Sequence, residues 1–555
     1  MPRLLRLFCL LVLLPLSAPA AEPHPSAAGV ASSHPLATQA GHEILARGGN
    51  AFDAAVAVAG ALAVVEPYNS GLGGGGFFLL HRARDNFDVM IDARERAPLA
   101  ATEDMYLDRQ GRPVPGLSID GALAAGIPGI PAGLVHLAEK YGRLPLKQSL
   151  APAIRFARDG FAVTPFYGKM TLRQHDRLEN VPEMARTFLK HGFIHAPGEK
   201  LRQPELARTL ERLAAKGREG FYGGMVAERL VQGVRAAGGI WSLKDLADYR
   251  VIERMPVRGT YRGVHIVTAA LPSSGGVVLM EMLNLLSGFD LASLDKTQRD
   301  RTVIEAMRLA YRDRARYLGD PDFVHVDVPH LIDPGYAAQL RKEMRGRKEA
   351  SVPAPAKAAG AGANTTHFSI IDREGNRVAA TLSLNTPFGS GFMPAGTGVV
   401  LNNEMDDFSV KPNVPNTYGL VGADANAIAP GKRPLSSMTP TFLENDRAVV
   451  VLGTPGGSRI ITMVLLATLD FAEGRGGPKE WVSLPRFHHQ YLPDVVAYEA
   501  NAFNEVERRS LERRGYRLEA VRGGYGNMQL VAWYKKTGRM EAVSDPRGEG
   551  SGLAK

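Results

Sequence analysis

The stretch Asn364-Thr365-Thr366-His367-Phe368-Ser369 decides the reading of this 555-residue chain. Ahead of it, Ser351 to Asn364 is rich in Pro, Ala and Gly; behind it an alternating apolar and polar pattern begins, with a threonine at the junction. The first composition cannot bury enough apolar surface to order itself, and the alternation that follows is a strand signature. A cut at the junction would give Thr365 a free α-amine beside its hydroxyl. That amine titrates at about 7.7–8, so a neutral fraction can take the hydroxyl proton near pH 7 and no histidine is required. The same stretch also reads as a linker running into an ordinary hairpin strand.

Working outward, Thr366 to Asp372 and Arg377 to Leu384 read as two strands around Arg373-Glu374-Gly375-Asn376. A three-residue turn sets 372 against 376 and therefore Thr365 against Ser383, with Cβ atoms about 4.5–5.5 Å apart. Ser383 could then hydrogen-bond the threonine hydroxyl or amine. A four-residue turn shifts the pairing by one and leaves Ser383 an ordinary strand serine.

Composition narrows the chemistry. With 45% hydrophobic and 22% charged residues, the chain reads as soluble and globular. Residues 1–20 carry Arg3, Arg6, an apolar run too short to span a membrane, and Ala18-Pro19-Ala20, which together predict an export signal. The single cysteine, Cys9, lies in that run behind bulky Phe8, which argues against a lipid anchor. Without it the mature chain has no thiol. Disulfides, thiol nucleophiles, zinc–thiolate sites and iron–sulfur clusters are excluded, and a periplasm or cell exterior is expected. The net charge of +9 is spread in short clusters such as Arg341-Lys342, a solvated helix face rather than a nucleic-acid groove.

Toward the N-terminus, Pro35 to Arg47 reads as a helix stopped by Gly48-Gly49, and Asn50 as the cap of a buried helix, Ala51 to Val65. Gly71 to Gly76 satisfies G-x-G-x-x-G, but a helix precedes it and a strand follows, the reverse of a dinucleotide loop. Close backbone approach is the better reason for these glycines. Residues 130–320 read mostly as helices.

Polar, glycine-rich segments follow the junction: Asn402 to Phe408, Lys432 to Met438, and Gly453-Thr454-Pro455-Gly456-Gly457-Ser458-Arg459. With Val30 to Ala37, Gly48 to Ala55, Arg94-Glu95-Arg96-Ala97-Pro98, Pro272 to Gly276, Gly319-Asp320-Pro321, Pro485 to Gln490 and Asp545-Pro546-Arg547, the chain resembles the γ-glutamyltransferase (γ-glutamyl transpeptidase) family of N-terminal-nucleophile hydrolases. The resemblance implies an α/β fold, an αββα sandwich of two stacked sheets flanked by helices. It implies a signal at 1–20, a large segment 21–364 and a small segment 365–555 interlocked in one heterodimeric fold. Thr365 matches the nucleophile and Asn364 precedes the scissile bond. Ser383 matches the neighbouring hydroxyl, often threonine in the family. Gly456 and Gly457 match the oxyanion hole, Arg94 the grip on the substrate α-carboxylate, and Ser436 and Ser437 the hydroxyls sharing it.

Asn385, Glu404 and Asp407 match the acceptors around the α-amino group, and Pro412 to Ala423, with Tyr418, resembles a lid. Expected substrates are γ-glutamyl compounds, glutathione first, with amino-acid or peptide acceptors; no cofactor, metal, nucleic acid or membrane anchor is expected. His488-His489 reads as structural because sequence neighbours on a strand face opposite ways. Two competing readings are a glutaryl-cephalosporin acylase on the same scaffold and a non-catalytic secreted binding protein.

Overall fold

The computed structural model describes residues 24–346 and 365–555. The predicted export signal with Cys9, the segment Ser351 to Asn364, and so the proposed cleavage residue Asn364, lie outside the described residues.

The strands that build the two main sheets are β1 (Gly29–Ser32), β2 (Gly75–Arg82), β3 (Phe87–Ala93), β4 (Ile252–Arg254), β5 (Val257–Tyr261), β6 (Val264–Thr268), β7 (Thr365–Ile371), β8 (Arg377–Ser383), β9 (Thr441–Glu444), β10 (Ala448–Gly453), β11 (Gln529–Tyr534), β12 (Met540–Ser544) and β13 (Ser551–Ala554). The seven-stranded sheet runs β13-β1-β7-β8-β2-β3-β4 and the six-stranded sheet β12-β11-β10-β9-β6-β5. Strand β7 pairs with β1, and β8 with β2, so chain on either side of the junction is woven into one sheet.

Period-two alternation sorts the side chains into layers. Phe368, Ile370, Val378 and Ala380 face one way, into a core shared with helices α1 (Pro35–Ala46) and α2 (Ala51–Val65). Ile371, Ala379, Phe77 and Leu79 face the other way and meet Val449, Val451 and Val531 of the second sheet. The far face of that second sheet is covered by α3 (Gly275–Leu286), α4 (Lys296–Tyr317) and α5 (Ile460–Ala472). The order is helix, sheet, sheet, helix. Among the described residues no helix is long and apolar enough to cross a membrane.

Helix α2 begins at a reciprocal cap: Asn50 Oδ1 accepts from the N–H groups of Phe52 and Asp53, while Asp53 Oδ2 accepts from Asn50 N at 3.0 Å. Every residue of α2 is buried, as its Ala/Val content requires. The glycines after it do permit close approach. A Cβ on Gly73 or Gly74 would overlap the carbonyl oxygens of Val400 and Ser383.

Residues 130–320 are mostly helical, as expected, and are interrupted by β4 to β6, which that reading did not foresee. Val257 to Tyr261 and Val264 to Thr268 alternate around Arg262 and Gly263, both with positive φ (48° and 78°), a two-residue hairpin turn. Five-residue strands between long helices are easily read through, because their alternation also contains helix-compatible spacings.

Candidate active site

Thr365 opens β7 directly opposite Ser383, the pairing expected from a three-residue turn. The turn closes through Asp372 N to Asn376 O at 3.0 Å, and Gly375 takes a φ of 87° there. Thr365 shares the inter-sheet face with His367 and Ser369, and is only 4% exposed. Its Oγ1 lies 3.2 Å from Ser383 Oγ, which in turn accepts from Asn385 N at 2.7 Å. One residue on, Thr366 faces the helix layer instead. There Glu66 Oε2 accepts from Thr366 Oγ1 at 2.9 Å and Ser33 Oγ at 2.6 Å. Burial pushes the Glu66 carboxyl up to about 7, against the pull of those hydroxyls.

The opposite wall is charged. Arg94 follows β3 and is completely buried. Its Nη2 donates to Asp407 Oδ2 at 2.5 Å and its Nε to Pro434 O at 3.1 Å. Glu404 Oε2 lies 2.8 Å from Nη1, an ion pair off-line for a hydrogen bond, and Glu95 Oε2 lies 3.5 Å away. Burial works against the Arg94 charge, but Glu404, Asp407 and Glu95 more than offset it and leave its pKa raised. The same burial lifts Glu404 well above the ordinary carboxyl range, with Arg94 opposing, and lifts Glu95 to about 7.

Ser436 and Ser437 lie between the two walls. Ser436 Oγ accepts from Met438 N, and Ser437 Oγ from Arg314 Nη2 at 3.2 Å. Gly457 begins the single turn ahead of α5, with a φ of 57°, and Gly456 precedes it at 147°. The 412–423 loop folds over all of this. Tyr418 donates its hydroxyl to Asn385 O at 2.6 Å, and a Cβ on Gly457 would sit 2.5 Å from the Tyr418 ring. Asn416 Nδ2 donates to Asp407 Oδ1, and Thr417 N to Asp406 Oδ2, so the loop is tied to the acidic wall.

Apart from Asn364 and Gly456, the predicted site residues therefore line one cavity, and Gly456 directly precedes the lining residue Gly457. The space left free is about 20 Å³, enough for about one water and no more. An amino-acid-sized acyl group enters only if Tyr418 lifts and the Arg94–Asp407 pair opens.

His488 and His489 lie elsewhere and take separate partners: His488 bonds Thr462 and Gln490, and His489 bonds Asp494. Among the described residues no group of three or more His, Cys, Asp or Glu is placed to hold a metal ion.

The sequence pattern of the gamma-glutamyltranspeptidase family matches residues 37–554. The chain belongs to the γ-glutamyltranspeptidase family. It is 45% identical over 497 residues to a glutathione hydrolase proenzyme of Pseudomonas sp. (strain A14), covering 88% of this chain and 86% of that one. A cephalosporin acylase from Bacillus halodurans superposes with a TM-score of 0.83 at 29% identity, covering 97% of this chain and 98% of that one. The γ-glutamyltranspeptidase of Helicobacter pylori gives 0.56 at 41% identity, covering 58% of this chain and 92% of that one.

Within this member of the γ-glutamyltranspeptidase family, sequence reasoning passed over Glu66, Glu95 and Arg314. Arg314 had a signal: it falls on the stripe Val303, Met307, Ala310, Arg314, the buried face of α4. A charge on an apolar stripe needs partners, here Ser274 and Ser437. Glu66 had one too, since it directly follows a helix with no exposed residue.

Proposed function

We propose that the chain is a self-cleaving γ-glutamyltransferase and glutathione hydrolase whose reaction runs through Thr365. One observation carries this: the Thr365 and Ser383 hydroxyls lie 3.2 Å apart at one end of a closed cavity, and Arg94 with Glu404 and Asp407 forms the other end. A group with one carboxylate, one amine and an acyl carbon a few bonds away fits between them.

In the precursor, Thr365 Oγ1 attacks the carbonyl of Asn364, and water hydrolyses the resulting ester. The products are a large chain ending at Asn364 and a small chain of residues 365–555, which stay together as a heterodimer through the shared sheet. In support, the solved H. pylori chain is matched almost end to end yet accounts for only 58% of the present chain.

In the mature enzyme the substrate α-carboxylate takes Asp407's place on Arg94, a planar fork suited to bidentate grip, and also meets Ser436 and Ser437. Asp407, Glu404 and Asn385 then receive the α-ammonium group. Thr365 Oγ1 attacks the γ-carbonyl carbon as its proton passes to the threonine α-amine. The N–H groups of Gly456 and Gly457 receive the developing oxyanion; glycine lets the carbonyl approach the peptide plane closely. The C–N bond breaks, the leaving amine takes the proton, and a γ-glutamyl ester remains on Thr365. Water or an acceptor amine attacks that ester, releasing glutamate or a new γ-glutamyl amide and returning the proton to Thr365 Oγ1. No cofactor is needed for any of these steps. Export to the periplasm or cell exterior fits residues 1–20.

The acylase reading is favoured by the superposition on cephalosporin acylase along almost the whole chain. A glutaryl group has no α-amine, and would leave Asp407 and Glu404 without a cation once Arg94 turned to the substrate. The deciding experiment incubates purified protein with glutathione, with and without glycylglycine, beside glutaryl-7-aminocephalosporanic acid, and sequences the small chain from its N-terminus. Release of glutamate, formation of γ-glutamyl-glycylglycine and a small chain beginning Thr-Thr-His-Phe-Ser are expected. Turnover of the glutaryl substrate alone would replace this function by the acylase.

A further inference from the structure

A second cavity, about 470 Å³, backs onto the same chain segments as the reaction cavity. Pro387 in its wall stands two residues beyond Asn385, and Pro455 immediately precedes the Gly456-Gly457 pair. Asn69, also in the wall, accepts through its carbonyl from Leu384 N at 3.2 Å, next to Ser383. This volume falls in the range that holds small molecules, unlike the occluded space around Thr365.

Its charge is one-sided. Lys169, Arg173, Arg522 and Arg547 line it, and no aspartate or glutamate is among its described lining residues. Arg547 is already committed to Glu499 and Asp545. Lys169, Arg173 and Arg522 are exposed and enter no ion pair among the described residues. Lys169 and Arg173 stand four residues apart at the end of one helical segment, on the same face, and Arg522 comes from another part of the chain. The lining also includes Gly523, Gly524 and Gly526, with φ of 79°, 73° and 83°, and a Cβ on Gly523 would meet nothing within 4 Å. Three cations with no ion-pair partner among the described residues, lining one open space that borders segments of the reaction cavity, are suited to a small carboxylate.

We infer that this cavity binds the free carboxylate of the acceptor amino acid or peptide, and of the peptide that leaves, through Lys169, Arg173 and Arg522. The inference rests on the proposed γ-glutamyl transfer and deepens it. When the acceptor carboxylate is held here, its amine points toward the Thr365 ester. The amine nitrogen forms a bond to the γ-carbonyl carbon, the carbon–Oγ1 bond breaks, and the amine proton returns to Thr365. The site thus sorts acceptors by a charge remote from the bond being made.

The test uses one readout, the partition of the γ-glutamyl-enzyme between acceptor and water, measured with glycylglycine and with glycylglycinamide at equal concentrations of the neutral amine. The donor is γ-glutamyl-p-nitroanilide, whose leaving group has no carboxylate. Wild-type enzyme is expected to prefer the acid over the amide, and the preference to fall as ionic strength rises. Lys169→Gln, Arg173→Gln and Arg522→Gln combined should cut the acid-to-amide preference about tenfold, the sum of three exposed ion pairs. Arg173→Glu alone should shift it toward the amide. No preference in wild-type enzyme, or a preference that survives the triple substitution, overturns the site while γ-glutamyl transfer stands. A wild-type enzyme that forms no γ-glutamyl product overturns the proposed function and this site with it.

Discussion

The two ends of the reaction cavity are built on opposite principles. At the Thr365 end the polar groups are neutral hydroxyls fixed by strand pairing: residue 365 faces 383 because 372 faces 376, and the backbone ladder does the positioning. At the Arg94 end, three carboxyl groups crowd within ion-pair reach of one buried guanidinium, and their positions depend on one another. The first end is pre-organised by hydrogen bonds that exist with or without substrate. The second is a self-neutralised cluster that must be rearranged when substrate arrives. Rigid chemistry and adaptable recognition sit on two sides of one small space.

The largest effect should come from the rigid end. Thr365→Ala removes the nucleophile and is expected to leave a folded, uncut precursor, with turnover down by about 10⁴-fold or more. Gel mobility and γ-glutamyl-p-nitroanilide kinetics check this together; an active enzyme that is never cleaved would defeat the mechanism. Thr365→Ser should still cut, more slowly.

At the adaptable end, Arg94→Lys keeps the charge but loses the fork. A loss of about 2–4 kcal/mol, or about 30- to 1000-fold in kcat/KM, is expected with self-cleavage nearly intact. If processing fails as badly as turnover, Arg94 serves folding rather than recognition. Back at the rigid end, Ser383→Ala should cost less, about 10- to 100-fold, because the strand pair still aims Thr365 after one hydroxyl is gone. A larger loss than Arg94→Lys would reverse the contrast drawn between the ends.

That contrast also explains what was legible in the sequence. The hairpin register followed from counting a turn, since period-two alternation fixes which residues oppose each other. Thr365 and Ser383 could be paired from residues alone. The ion cluster could not, because Arg94 is far in sequence from Glu404 and Asp407 and only the family resemblance joined them. Glu95 stayed hidden beside Arg94, being a sequence neighbour whose side-chain direction no motif reveals. Strands β4 to β6 were missed for a different reason: alternations of three to five residues carry too few periods to stand out in a mostly helical region.

The cluster has a pH consequence that the hydroxyl end lacks. In the free enzyme burial holds Glu404 well above the usual carboxyl range, with Arg94 opposing. A bound α-ammonium group favours the ionised form, so affinity weakens as pH falls and the carboxylate is protonated. KM is expected to rise as pH falls, and Glu404→Gln to flatten the rise. A KM profile unchanged by the substitution would assign the titration to another group.

The smallest effect tests what joins the two ends. Tyr418 reaches from the acidic wall, where its loop is tied to Asp406 and Asp407, to Asn385 beside Ser383. Tyr418→Phe removes the 2.6 Å hydrogen bond to Asn385 O but keeps the ring over Gly457. One net hydrogen bond, about 1 kcal/mol, should change KM for γ-glutamyl donors by about twofold to fivefold and leave the range of acyl groups unchanged. Shortening the 412–423 loop removes the ring as well, and should admit glutaryl amides and more water. The pair of variants separates latch from cover. If Tyr418→Phe already admits glutaryl amides, the hydroxyl is what keeps the lid shut. If a folded, shortened variant still refuses them, selectivity lies in the Arg94 cluster and the lid excludes only solvent.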